Sequence, residues 1–106
     1  MRLKIEIFSR FEEIVLVADN EKNTLDYNGN YLTSNVDDFI FKAKQIIDSM
    51  PDKVESAGIF DGTKYRIAYK DGENKVIKIG DEPFSANLDN LIKIIEEVAN
   101  EGKHIS

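Results

Sequence analysis

The chain has 106 residues, 42% of them apolar and 32% charged, with a net charge of −6 at pH 7. That mixture is too apolar for a disordered chain and supplies enough core for one domain. No apolar run approaches the ~18 residues that cross a bilayer. The absence of cysteine excludes a disulfide framework, a thiolate metal site and a thiol nucleophile.

The first segment, Arg2-Leu3-Lys4-Ile5-Glu6-Ile7, alternates charge with apolar bulk. This is the period of a strand, placing Leu3, Ile5 and Ile7 on one face over residues 2–8. It is not the unbroken apolar run of a signal peptide, and with the lack of cysteine it points to the cytoplasm. A second strand is expected through Phe11 to Ala18, where Ile14-Val15-Leu16-Val17 is apolar on both faces, as in a central strand. The polar cluster Asp19 to Asn23 predicts a turn. A short third strand carries Leu25 and Tyr27 and breaks at Asn28-Gly29.

A helix is expected from Ser34 or Asn35, either of which can accept hydrogen bonds from the unpaired first-turn amides. Asp37 and Asp38 suit the positive end of its dipole. Val36, Phe39, Ile40, Ala43, Ile46, Ile47 and Met50 follow helical spacing, and Met50-Pro51 ends the run. The second part reads alike. Strands are expected over Val54 to Phe60, through Tyr65, Ile67 and Tyr69, and through Val76, Ile77 and Ile79, with turns at Asp61-Gly62 and Asp71-Gly72 and a loop from Gly80 to Pro83. The last helix spans about residues 86–100, with Leu88, Leu91, Ile92, Ile95, Val98 and Ala99 on one stripe, and Glu101 to Ser106 fray beyond it.

Sliding the chain by about 52 residues superposes the two parts without a gap. Ile7, Phe8, Asp19, Glu21, Asn35, Asp37 and Ile40 then fall on Ile59, Phe60, Asp71, Glu73, Asn87, Asp89 and Ile92. The predicted fold is α+β: two β-β-β-α units, about 1–51 and 52–106, in a single domain with pseudo-twofold character. They form a mostly antiparallel sheet of about six strands with both helices on one face. Each helix has a single apolar stripe, so the other sheet face is left open, with closure into a barrel as the alternative.

The catalytic inventory is thin. His104 is the only histidine and lies in the predicted tail. Neither a Walker loop, a GxGxxG nor an HExxH motif occurs. The pairs Glu12-Glu13, Asp37-Asp38, Asp81-Glu82 and Glu96-Glu97 are explained by capping and solvated surfaces better than by acid–base work in a desolvated cleft. No catalytic residue, metal or cofactor is assigned.

The open face is the more informative feature. With Leu3, Ile5, Ile7, Val15, Val17, Leu25, Tyr27, Ile59, Tyr65, Ile67, Tyr69, Ile77 and Ile79 toward the helices, the period of two sends a second set to the far side. That set is Arg2, Lys4, Glu6, Phe8, Ile14, Leu16, Asp26, Phe60, Lys64, Arg66, Lys70, Val76 and Lys78. An apolar cluster of Phe8, Ile14, Leu16 and Phe60 rimmed by Lys64, Arg66 and other cations reads as a partner-binding surface. Phe41, between Ile40 and Lys42 but opposite the apolar stripe of its helix, is a further contact candidate.

The expected function is therefore a small non-catalytic protein-binding module, of an inhibitor, immunity or regulatory kind, binding a protein partner or itself. The alternative is a binder of an anionic ligand, a nucleotide or single-stranded nucleic acid, through stacked aromatics and cations on the same face. The net negative charge opposes that alternative. A lesser alternative is an enzyme with carboxylate chemistry that carries no motif.

Overall fold

The computed structural model describes residues 1–9, 12–32, 35–55, 63–82 and 86–103. The sheet is organised about its first strand, β1 (Arg2–Phe8). Alternation buries Leu3, Ile5 and Ile7 and leaves Arg2, Lys4, Glu6 and Phe8 on the other side. β1 pairs antiparallel on one edge with β2 (Glu13–Asp19). Two further strands continue outward from there, β3 (Thr24–Tyr27) and the two-residue β4 (Asn30–Tyr31).

Asn28 and Gly29, expected only to break the chain, form the two-residue loop of this last hairpin. Both have positive φ, 50° and 87°, as a mirror-image turn requires. The Asn28 side chain also accepts a hydrogen bond from the Val15 N–H at 2.7 Å and donates one to the Glu13 carbonyl at 3.1 Å. It thereby ties the turn back to β2.

On its other edge β1 pairs antiparallel with β6 (Thr63–Asp71), whose hairpin partner is β7 (Asn74–Glu82). β7 runs through the segment expected as a loop from Gly80. The short β5 (Lys53–Glu55) lies parallel to β7 at the outer edge. Among the described residues the order is β4-β3-β2-β1-β6-β7-β5, seven strands in one sheet.

α1 (Val36–Asp48) is capped by Asn35, whose side-chain oxygen accepts from the Asp38 N–H at 3.0 Å. Ser49 closes it, its N–H reaching the Ile46 carbonyl at 3.2 Å and its hydroxyl donating to the same oxygen at 2.7 Å. Val36, Phe39, Ile40, Ala43 and Ile47 are buried. α2 (Ala86–Lys103) buries Leu88, Leu91, Ile95 and Ala99 and extends a turn past its expected end. The buried side chains of both helices and of β1, β2, β3 and β6 form one cluster. Each fully buried Leu, Ile or Phe contributes about 1.5–3 kcal/mol. The shortest dimension of the molecule is 20 Å, the depth of a sheet and one helix layer at about 10 Å each.

Two expectations are corrected by the pairing. Ile14 and Leu16, assigned from sequence to the open face, are 2% and 0% exposed and belong to the core, while Val15 and Val17 face outward. In β7 the phase is likewise reversed: Val76 and Lys78 face the helices, and Ile77 and Ile79 lie on the open side. The physical reason is register. Side chains directly opposite each other share a face, and Leu16 lies opposite Ile5, as Lys78 lies opposite Ile67.

The same registers bear on the internal repeat. Both parts hold strands followed by a helix, but β4 has no counterpart among the described residues, Val15, aligned with Ile67, lies on the opposite face from it, and so does Leu25 from Ile77. The pairing differs too. β1 pairs antiparallel with the strand that follows it, whereas β5 pairs parallel with β7. The sequence-predicted strand at Val54–Phe60 and the turn at Asp61-Gly62 lie mostly outside the described residues, as does His104.

Candidate functional site

The open side of the sheet can be read as rows of side chains running across the strands, because the registers fix which residues are neighbours. One row carries Val15, Glu6, Arg66 and Ile79. The next carries Tyr31, Asp26, Val17, Lys4, Ala68 and Ile77. A third carries Thr24, Asp19, Arg2, Lys70 and Lys75, and a fourth, at the other end, Glu13, Phe8 and Lys64. Val15, Val17, Ala68, Ile77 and Ile79 thus sit in the two middle rows, with ionic side chains around them. Ile77 and Ile79 are each 38% exposed and Tyr31 75%.

Charge is unevenly spread over this face. The β2–β3 half carries Glu13, Asp19 and Asp26; the β6–β7 half carries Lys64, Arg66, Lys70 and Lys75, with Asp81 at the register position opposite Lys64. Between them on β1, Glu6 holds Lys4 and Arg66, each at 3.8 Å. Exposed pairs of this kind contribute at most about 1 kcal/mol; their effect is to orient the two cations beside the apolar rows. Tyr31 and Asp26 border an open depression with Arg2, Val17 and Asp19.

The structure brings together three of the residues singled out in the sequence, Phe8, Lys64 and Arg66, on this face. Ile14 and Leu16 are replaced there by their neighbours Val15 and Val17. Phe60 lies outside the described residues. Phe41 is 64% exposed on α1, on the helix layer and apart from the sheet face. The residues missed were Val15, Val17, Ile77 and Ile79, and two signals for them were present. In β2 the even positions Ile14, Leu16 and Ala18 carry no charge, whereas the odd positions begin and end with Glu13 and Asp19. In β7 a two-residue turn at Gly72-Glu73, with Gly72 at φ 63°, sets Asp71 opposite Asn74 and hence Tyr69 opposite Val76.

A second polar cluster lies on the helix side. The Tyr69 hydroxyl donates to Asp48, and its pKa is pushed up to about 12 by burial, by that hydrogen bond and by the charges of Asp48 and Asp71. The Lys44 ammonium lies 5.8 Å from the Tyr69 ring centre, within cation–π range. Lys78, only 8% exposed, runs its stem beneath the sheet and delivers its amine to Asp52 at 2.7 Å. Every group here is engaged with its neighbours as a brace between α1, the chain after it, and the sheet. Burial, with the charges of Glu12 and Glu96, also raises the Tyr27 pKa.

Among the described residues no three His, Asp or Glu side chains converge to hold a metal ion. A small cavity of about 60 Å³ between the helices is lined by Asn35, Phe39, Lys42 and Glu97. That is room for about two water molecules. Among the described residues no helix is long and apolar enough to cross a membrane.

Known proteins offer no match: no family model, no curated protein and no solved structure corresponds to this chain.

Proposed function

We propose that this chain is a non-catalytic protein-binding module that uses the open face of its sheet. The observation that carries the reading is the placement of Val15, Val17, Ile77 and Ile79 in adjacent rows on the side of the sheet that no described helix covers. Antiparallel sheets tolerate a solvated face, but such faces are ordinarily polar. Two aliphatic pairs, one on β2 and one on β7, flank Lys4, Glu6, Arg66 and Ala68 on β1 and β6, and such a mixture of apolar and ionic side chains is the make-up of an interaction surface.

An anionic ligand is the weaker reading for this face. Phosphate recognition draws on summed positive charge, and here Glu6, Glu13, Asp19 and Asp26 share the surface with the cations. Phe8 is the one aromatic of the proposed stacking pair within the described residues.

The test compares two immobilised baits, wild type and the Val17→Asp/Ile77→Asp double variant, with folding of both checked by circular dichroism. Proteins retained by wild type, a second copy of the chain included, are expected to be lost from the variant. Equal retention by both overturns the assignment of binding to this face.

A further inference from the structure

Resting on that reading, we propose that the partner of the open face is a second copy of this chain. The two sheets pack face to face about a twofold axis running parallel to the strands, between β1 and β6.

The argument begins with the uneven charge. The acidic β2–β3 half and the basic β6–β7 half lie on opposite sides of the sheet's midline. Among the described residues, Arg2, Lys64, Lys70 and Lys75 have no carboxylate within ion-pairing distance. A twofold operation about an axis along the strands exchanges the two halves, so acid meets base twice over. An axis across the strands would instead set acid on acid. Closed pairs of identical chains bury the same patch on each copy, and this patch is complementary to itself only in the first orientation.

The rows then fix the contacts. With the axis between β1 and β6, β2 of one copy lies over β7 of the other. Val15 meets Ile79, and Val17 meets Ile77, which makes two aliphatic patches, one on each side of the axis. Glu6 meets Arg66, and Asp19 meets Lys75. Lys4 meets the small side chain of Ala68. Two rows oppose the arrangement, both at the rim, where solvent screens them: Arg2 faces Lys70, and Glu13 falls over the position of Asp81. The rotation of about 30° between aligned sheets moves the outer rows more than the central ones, so the contacts nearest the axis are retained.

The area suits a weak pair. The four overlapping strands, about 4.8 Å apart with seven residues of about 3.3 Å each, present about 440 Å² per copy. Two copies then bury about 900 Å², in the range of weak, transient encounters. The expected association is micromolar or weaker.

The experiment is sedimentation of the full chain across a concentration series, as wild type, as Val17→Lys, as Ile77→Glu, and as an equal mixture of the two variants. Residues 17 and 77 lie three strands apart in one chain but opposite each other across the proposed interface, so only a second copy brings the new charges together. Wild type is expected to dimerise at micromolar or higher concentration. Each variant alone should raise the dimer Kd at least ~100-fold, because a charge is then buried against an aliphatic group. The mixture should form a one-to-one dimer again, and that dimer should weaken with added salt.

Three results overturn the inference: a wild type that is monomeric throughout, variants that dimerise like wild type, or a mixture that stays monomeric. Should either variant fail to fold, methyl NMR of wild type decides. The signals of Val15, Val17, Ile77 and Ile79 must move with protein concentration, and constancy of those signals overturns the inference equally. A monomeric wild type that still loses a bound protein on Ile77→Asp removes the second copy as partner and leaves the protein-binding reading intact. A dimer joined elsewhere, with nothing held by this face, removes both.

Discussion

The two faces of the sheet are made from the same few strands, residue by residue in alternation, yet they answer to different rules. The helix side holds Leu3, Ile5, Leu16, Leu25 and Ile67, all fully buried, where volume and shape decide what is tolerated. The open side holds aliphatics next to Lys4, Glu6 and Arg66, where solvent can relax around a change. Adjacent residues straddling the sheet therefore make the sharpest comparison. They share backbone, strand and hydrogen-bonded neighbours and differ only in the side they serve.

The largest contrast is expected at Leu16 and Val17. Leu16→Ala leaves a cavity in the core and should cost about 2–5 kcal/mol. Val17→Ala, one residue on, should cost less than about 1 kcal/mol in dilute protein. Urea unfolding of both variants measures the difference, and equal losses would break the distinction between the faces.

A smaller contrast separates Gly80 from Ile79. The ring of Tyr65 lies over Gly80 from the strand opposite, and a Cβ placed on Gly80 runs into it. Gly80→Ala should destabilise by about 1–3 kcal/mol through overpacking, although it removes nothing. Ile79→Ala, which deletes a larger group from a partly exposed site, should cost less. The order of the two thermal midpoints tests this, and the reverse order would mean that the Tyr65 ring moves aside freely.

The smallest effect at neutral pH is expected at Tyr69, whose neighbour Lys70 faces solvent. Tyr69→Phe loses the hydrogen bond to Asp48, worth about 1 kcal/mol. The alkaline limb is more informative. The folded pKa of about 12 lies above the ordinary value near 10, so the folded state holds this proton more tightly than the unfolded one. The stabilisation is whole below pH 10 and is lost as pH rises through about 12. Stability of the wild type should therefore fall more steeply than that of Tyr69→Phe between those values, as read by denaturant titrations at successive pH. Parallel curves would show that the hydroxyl brings no proton linkage.

Much of the fold was legible from local chemistry. The helical stripes of α1 and α2 and the alternation in β1 and β6 each have a single satisfactory reading, and the cap of α1 was narrowed to Ser34 or Asn35. The α+β class and the antiparallel sheet follow from them. The errors fall where local chemistry is silent. Ile14-Val15-Leu16-Val17 is apolar on both faces, so alternation cannot choose the inner one; pairing with β1 chooses it. Carrying the phase of Ile67 over to Val15 through the internal repeat compounded the mistake, because a gapless superposition ignores a one-residue difference in how two strands meet β1. On the face expected to be open, Ile14 and Leu16 thus gave way to their neighbours Val15 and Val17. Phe8, Lys64 and Arg66 lie on strands whose alternation is unambiguous, and their placement needed no partner strand.

The middle position of β1 also has a consequence in time. Its first edge is closed by a hairpin partner that follows almost at once, but Ile5 meets Ile67 only after about 60 further residues have been made. At ordinary rates of synthesis that is an interval of about 3–12 s. Throughout it the emerging chain presents a half-built ribbon whose remaining amides and carbonyls lack their mates. The last-made hairpin therefore acts as a clasp, and ribosome-bound chains arrested before it should be the ones that recruit chaperones.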